Sequence, residues 1–186
     1  MTNLKIAIQK SGRLNEESLT LLKECGISIN NGKDQLMAQA SNFPMEVLYL
    51  RNSDIPQYVK DGIADIAIIG DNTEKEKKTG IENVLKLGFS RCRLSIAVPK
   101  AVDFTDISYL QGKKIATSYP TSLQDFLDEN HIQAEIHEIS GSVEIAPNIG
   151  LADAICDLVS TGSTLFKNGL KEVYKIFESQ AILVAN

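Results

Sequence analysis

Short apolar runs alternate along the chain with stretches of helical spacing. Leu4–Gln9 is an apolar run around Ile6 and Ile8, closed by Lys10-Ser-Gly-Arg13. Leu14–Cys25 carries Leu14, Leu19, Leu21 and Leu22 at helical intervals and stops at Gly26. Leu36–Ala40 and Glu46–Leu50 predict strands on either side of Asn42-Phe-Pro44. Ser53 and Asp54 predict the cap of a helix that runs through Val59 to Gly62, with Pro56 in its first turn. Asp65–Gly70 predicts a buried strand, and Val84–Leu87 and Leu94–Val98 predict two more. Lys113–Thr117, Thr121–Glu129 and Ala134–Glu138 then read as strand, helix, strand. Pro147 suits a loop leading into a helix; Ala152–Val159 reads as a strand, Ser163–Asn168 as a short helix and Ala181–Ala185 as a last strand. Strands that alternate with helices predict an α/β protein with parallel, doubly wound sheets.

A short internal repeat refines the picture. Gly62-Ile-Ala-Asp65-Ile-Ala-Ile-Ile-Gly70 resembles Gly150-Leu-Ala-Asp153-Ala-Ile-Cys-Asp157. Ile6-Ala-Ile8 running into Gln9-Lys-Ser-Gly12 has its counterpart in Ile115-Ala-Thr117 running into Ser118-Tyr-Pro-Thr121. The expectation is two similar α/β lobes. One holds residues 1–91 plus about 178–186, the other residues 92–177. Cys92–Val98 would carry the chain across and Ile176–Leu183 would carry it back. A cleft between the lobes would collect the C-terminal ends of strands, where ligands of open α/β sheets bind.

Composition narrows the function. The chain has 186 residues, 43% hydrophobic and 23% charged, which is ordinary for a globular protein. Its net charge of −5 argues against a nucleic-acid partner. No apolar run approaches the ~20 residues that span a bilayer. The N-terminus reads as a first strand rather than a signal peptide, so a cytoplasmic location is expected. Cys25, Cys92 and Cys156 are odd in number and widely spaced, against a disulfide framework or a zinc site; Cys156 is expected to be a buried thiol. His131 and His137 have no ligating partners at metal spacing and are expected to be surface or structural.

Candidate chemistry gathers at Asp157-Leu-Val-Ser-Thr-Gly-Ser-Thr-Leu165. An apolar run leads to an acid, then to four hydroxyls around a glycine, then to a helix-compatible segment. Free N–H groups and hydroxyls at a helix N-terminus bind phosphate, and the carboxylate can hold sugar hydroxyls or a metal-bound water. A plain helix cap is the other reading, though Ser160, Thr161, Ser163 and Thr164 exceed what a cap requires. The loop is neither a Walker loop nor a G-x-G-x-x-G fingerprint. Asp65 and Asp153 start their strands and are expected to anchor turns. Asp153 and Asp157 share a strand face but stand ~13 Å apart at ~3.3 Å per residue, too far for a paired-carboxylate site.

Lys10-Ser-Gly-Arg13 sets two cations and a glycine after the first strand, either as a solvated turn or as a clamp on a pyrophosphate or triphosphate. Arg51 is a third cation after the next strand, and Gly70-Asp71-Asn72 ends another. Arg91 and Arg93 flank Cys92 at the lobe boundary, with hinge and structural readings both open. Ser140-Gly-Ser-Val-Glu144 is a loop followed by an acid.

Together these motifs resemble the ATP phosphoribosyltransferase family. The likeness rests on Ile6–Leu14, Gly88–Leu94, Lys114–Pro120, Ser140–Pro147 and Leu151–Leu165, and it runs in order from Leu4 to about Leu183. The resemblance implies two doubly wound lobes of the periplasmic-binding-protein type with a cleft between them. It implies that N1 of ATP is joined to C1′ of phosphoribosyl pyrophosphate, releasing pyrophosphate, with Mg²⁺ required. Asp157 would hold the ribose hydroxyls, and Ser160, Thr161, Gly162, Ser163 and Thr164 the 5′-phosphate. Lys10, Gly12, Arg13, Arg51, Gly70, Asp71 and Tyr119 match the nucleotide side, and Asp157, Lys10 and Arg51 would carry the catalysis. Metal ligation directly by the protein is not expected.

The family's long form adds a C-terminal regulatory domain, whereas its short form works with a separate regulatory subunit. This chain reaches Asn186 just after the expected return strand, so the resemblance implies a catalytic core without that domain. A homodimer or larger homo-oligomer is implied, with a regulatory subunit as a further partner. Two other readings compete. One is a non-catalytic two-lobed module that binds a small ligand. The other is a phosphoribosyltransferase with a different acceptor base, which lacks its usual pair of adjacent acids here.

Overall fold

The computed structural model describes residues 3–30 and 35–186, and the chain divides into two compact units. The first runs to Arg91 and regains Ser179–Asn186; the second is Cys92–Glu178.

In the first unit the chain forms β1 (Leu4–Gln9), α1 (Arg13–Glu24), β2 (Met37–Gln39), β3 (Met45–Leu50), α2 (Ile55–Lys60), β4 (Ile66–Gly70), α3 (Asp71–Lys77) and β5 (Glu82–Lys86). The second unit holds β6 (Cys92–Pro99), a 3₁₀ turn at Ile107–Leu110, β7 (Lys114–Thr117), α4 (Pro120–Glu129) and β8 (Glu135–Glu138). It continues through a 3₁₀ turn at Val143–Ile145, β9 (Ala154–Val159), α5 (Ser163–Lys167) and β10 (Leu170–Ser179), after which β11 (Ala181–Ala185) rejoins the first unit.

The sheet of the first unit has the order β2-β3-β1-β4-β11-β5, that of the second β10-β6-β9-β7-β8. In each, three adjacent strands are parallel: β3-β1-β4 and β8-β7-β9. Both sheets are mixed rather than wholly parallel. β11 lies antiparallel to β4 and β5, and β6 lies antiparallel to β9. These antiparallel strands are the ones that follow the two crossings between units, so their direction is set by where the chain arrives. The orders superpose as β3-β1-β4-β11-β5 on β8-β7-β9-β6-β10. The short sequence repeat is therefore a whole repeated topology.

Both faces of each sheet are covered, which is why the central strands read as unbroken apolar runs. Ile6 and Ile8 of β1 pack with Leu14 and Leu22 of α1, while Ala7 between them packs with Ile55 and Val59 of α2. In the second unit Ile115 joins Leu123, Phe126 and Leu127 of α4, while Ala116 faces Val143 and Leu165. Fully buried side chains such as Ile8, Leu123 and Leu127 each contribute about 1.5–3 kcal/mol. Cys156 is buried within the α4-side core, Cys25 is exposed, and none of the three cysteines forms a disulfide.

Two local expectations change, at Asp54 and beyond Pro147, and α3 and the length of β10 are additions the pattern did not announce. Asp54 stands at the start of α2 without a side-chain capping bond; its carboxylate accepts from the Ser53 hydroxyl at 3.0 Å instead. The segment Asp71–Lys77 is helical although it has no apolar stripe. The helix expected beyond Pro147 does not form, because the chain turns directly into β9 after the Val143–Ile145 turn. The return path is a ten-residue strand, β10, followed by β11.

Candidate functional site

β9 carries Asp157 near its C-terminal end, and the hydroxyl loop follows at once. Gly162 takes φ +83°, a left-handed conformation, and starts α5. A Cβ there would meet nothing nearer than Val159 Cγ1 at 4.0 Å, so the backbone rather than space selects glycine. Helix starts leave N–H groups without intrahelical acceptors. Here the N–H groups of Thr161, Gly162 and Thr164 find no backbone acceptor among the described residues.

Glu144, Asp157, Ser160, Thr161, Gly162 and Thr164, with the apolar Leu158, Val159 and Leu165, line a cavity of about 240 Å³. This is below the roughly 300–1,000 Å³ of sites for drug-sized ligands and suits a fragment such as a sugar phosphate. Ser163 is not among the lining residues. Its hydroxyl accepts from Thr161 Oγ1 at 3.1 Å, and its N–H donates back to Thr161 Oγ1 at 3.4 Å.

Asp157 is half-buried, and its carboxyl is pushed up to about 6, chiefly by loss of water. The Leu158 N–H, bonded to Asp157 Oδ1 at 2.7 Å, works against that shift, and the nearby Glu144 charge adds to it. The cavity therefore holds two carboxylates that repel each other and a row of neutral donors.

The nucleotide-side candidates lie mainly in the first unit. Lys10 follows β1 and Arg51 follows β3, the neighbouring parallel strand. Gln9 is in register with Leu50, and the Lys10 N–H donates to the Leu50 carbonyl at 2.9 Å, so the two cationic residues emerge side by side. Both are exposed. Gly70 ends β4 on the other side of β1, and Asp71 begins α3. Asp71 is bound to Lys75 at 2.6 Å, and Arg13, next to Gly12 at the start of α1, is paired with Glu17 at 3.4 Å. Tyr119 belongs to the second unit, where it precedes α4 and packs against that unit's core.

A family model described as ATP phosphoribosyltransferase matches residues 51–186. The chain belongs to the ATP phosphoribosyltransferase family. It is 61% identical over 184 residues to the ATP phosphoribosyltransferase of Cytophaga hutchinsonii, an alignment that covers 99% of this chain and 64% of that protein. The chain thus spans just under two thirds of the length of that relative. The solved ATP phosphoribosyl transferase (HisG:HisZ) complex from Thermotoga maritima is similar at TM-score 0.84 and 31% identity, covering 98% of this chain and 87% of that one. The periplasmic aliphatic sulphonate binding protein SsuA from Escherichia coli is similar at TM-score 0.64 and 12% identity over 100% of this chain and 65% of that one. That second likeness shows the two-lobed fold alone.

Membership in the ATP phosphoribosyltransferase family accounts for the order of the motifs, but some residues at the site carry little local signal. Arg93 donates to Glu172 through Nε and Nη2, both at 2.6 Å, and through Nη1 to the Ser160 carbonyl at 3.0 Å. The guanidinium holds the Glu172 carboxyl below its usual range against the opposing effect of partial burial. Glu172 lies on β10, a strand whose apolar positions do not alternate, so periodicity gives no warning of it. Glu144 stands out only as an acid after a glycine-containing loop.

Proposed function

We propose that the chain catalyses the transfer typical of its family: N1 of ATP displaces pyrophosphate from C1′ of phosphoribosyl pyrophosphate, the first step of histidine biosynthesis. The observation that carries this reading is the cavity in which Asp157, Glu144, Ser160, Thr161, Gly162 and Thr164 converge. Its hydroxyls and unpaired N–H groups suit a 5′-phosphate, and Asp157 suits ribose hydroxyls. The second unit is then the sugar side, and the first, with Lys10, Gly12, Arg13, Arg51, Gly70 and Asp71, the nucleotide side. Tyr119, in the second unit, is proposed as a further nucleotide contact.

As the C1′–O bond breaks, positive charge grows on the sugar and negative charge on the pyrophosphate. The Lys10 ammonium and Arg51 guanidinium are placed in the roles of stabilising negative phosphate oxygens. Adenine N1 is a weak nucleophile, so orientation of the two substrates supplies much of the acceleration.

A divalent cation, Mg²⁺ in this reading, fits the donor set. Burial and the Glu144 charge both resist ionisation of Asp157, and a dication beside the two carboxylates would relieve that strain. Among the described residues no group of three or more His, Cys, Asp or Glu converges. Asp157 and Glu144 would therefore meet the ion through its bound water and substrate oxygens, which Mg²⁺ prefers to keep. When bound, the ion supplies positive charge to the departing pyrophosphate.

Three cysteines outside any disulfide suit a reducing cytoplasm, and no described helix is long and apolar enough to cross a membrane. A homo-oligomer with a regulatory partner is the assembly in this reading, by analogy with the HisG:HisZ complex from Thermotoga maritima. The 61% identity to an ATP phosphoribosyltransferase disfavours a purely ligand-binding role. Incubation with ATP, phosphoribosyl pyrophosphate and Mg²⁺ should produce the absorbance change of phosphoribosyl-ATP. Its absence in a folded sample would overturn the assignment.

A further inference from the structure

Arg93 is not part of the cavity wall, yet its guanidinium reaches the loop that is. Nε and Nη2 are committed to Glu172 as a bidentate pair at 2.6 Å each, which leaves Nη1 for the Ser160 carbonyl at 3.0 Å. Ser95, two residues along β6 and on the same strand face, donates its hydroxyl to Glu172 Oε1 at 2.7 Å. Glu172 is thus pinned by three donors from the neighbouring strand β6, and the direction of Nη1 is fixed with it.

We propose that Arg93, held by Glu172, is a positioning residue that orients the Ser160–Thr161 peptide so that the Thr161 N–H meets the 5′-phosphate. This rests on the phosphoribosyl reading of the loop and extends it to residues outside the cavity. In a trans peptide the C=O and the following N–H point in opposite directions. The Ser160 carbonyl faces Arg93, so the Thr161 N–H is directed away from the guanidinium, and Thr161 itself lines the cavity. A cation bonded to that carbonyl also polarises the peptide and strengthens its N–H as a donor. Arg93 does not act as a direct phosphate clamp, because its fork is already filled by a carboxylate.

The test is titration of the full chain with phosphoribosyl pyrophosphate and Mg²⁺ by calorimetry, with KM measured for both substrates. Arg93→Met should weaken phosphoribosyl pyrophosphate binding about tenfold or more while the KM for ATP changes less than about twofold. Arg93→Lys should recover only part of the loss, since a point charge cannot serve both Glu172 and Ser160 in a planar fork. Glu172→Gln, nearly isosteric, should weaken binding about threefold or more by loosening the guanidinium, and it decides the matter if Arg93→Met does not fold. Wild-type affinity in these variants, or an equal loss for both substrates, overturns the proposal. Thr161→Val separates the two layers. If it alone loses affinity, the loop binds phosphate without the brace; if none of the variants does, the loop assignment falls and the brace falls with it.

Discussion

Asp153 and Lys114 hold each other through two bonds: the Lys114 N–H donates to the Asp153 carboxylate at 2.9 Å, and the Asp153 N–H donates to the Lys114 carbonyl at 2.8 Å. Asp65 and Lys5 repeat the pair in the other unit at 2.7 and 2.9 Å. In each case an acid just before a parallel strand clamps the first residues of the neighbouring strand. Asp153→Ala and Asp65→Ala should each cost about 1 kcal/mol of stability, the worth of a solvent-accessible hydrogen bond to a carboxylate. Denaturant midpoints should fall at an unchanged slope, with affinity for phosphoribosyl pyrophosphate unaltered. A loss of affinity without a loss of stability would instead make Asp153 a ligand-binding group.

Asp157 sets a pH dependence of definite sign. Its carboxyl ionises near 3.8 when unfolded and at about 6 when folded, mainly because burial penalises the charge. Between those values the folded chain keeps a proton that the unfolded chain has lost. The contribution to stability is full below the lower value and is lost as pH rises to the upper one, levelling at a cost of at most about 3 kcal/mol. Asp157→Asn should therefore be more stable than the parent at pH 7.5, by about 1–3 kcal/mol, with the difference vanishing by about pH 3. Binding of Mg²⁺ with phosphoribosyl pyrophosphate favours the ionised form. Affinity should rise through pH 6 and binding there should expel a proton, measurable by calorimetry in buffers of different ionisation enthalpy. An identical proton count for Asp157→Asn would remove Asp157 from the site.

Gly162→Ala isolates the backbone of the loop. There is room for the methyl group, but φ +83° costs an L-residue about 1–2 kcal/mol. The expected result is a lower thermal midpoint and a phosphoribosyl pyrophosphate KM raised several-fold, while Gly162→Asn, better suited to a left-handed residue, should lose less on both measures. Equal effects of the two substitutions would point to crowding rather than backbone conformation.

The parts of this molecule that were legible in its sequence are those whose burial is local and complete. β1, β4 and β7 are covered on both faces, so Ile6-Ala-Ile8, Ile66–Gly70 and Ile115-Ala116 announce themselves as apolar runs. Strand direction is not written in such a run, and the antiparallel placement of β6 and β11 follows from the chain crossings instead. α3 escaped because Asn72 and Thr73, not apolar residues, are its buried positions; its support is an acid at the start, lysines at the end and the Asp71–Lys75 pair. The hydroxyl loop was legible as a contiguous motif. Arg93 and Glu172, 79 positions apart, meet only through the sheet, and no local pattern could join them.

The two cations beside each other after β1 and β3 give the last prediction. Lys10 and Arg51 are exposed and follow strands whose register ends at Gln9 and Leu50. Neighbouring strands lie about 4.8 Å apart, so one polyphosphate can touch both side chains. Arg13 differs, because it is already engaged by Glu17, whose other oxygen accepts from the Ser90 hydroxyl. If charge near the chain were all that mattered, neutralising any of the three would weaken ATP binding alike. If phosphate contact matters, Lys10→Met and Arg51→Met should each raise the Kd for ATP about tenfold or more, and Arg13→Met less than about threefold. The same variants should also flatten the salt dependence of ATP binding, since each removes a direct charge pair that ions screen. Equal losses for all three would reduce the pair to a contribution of overall charge.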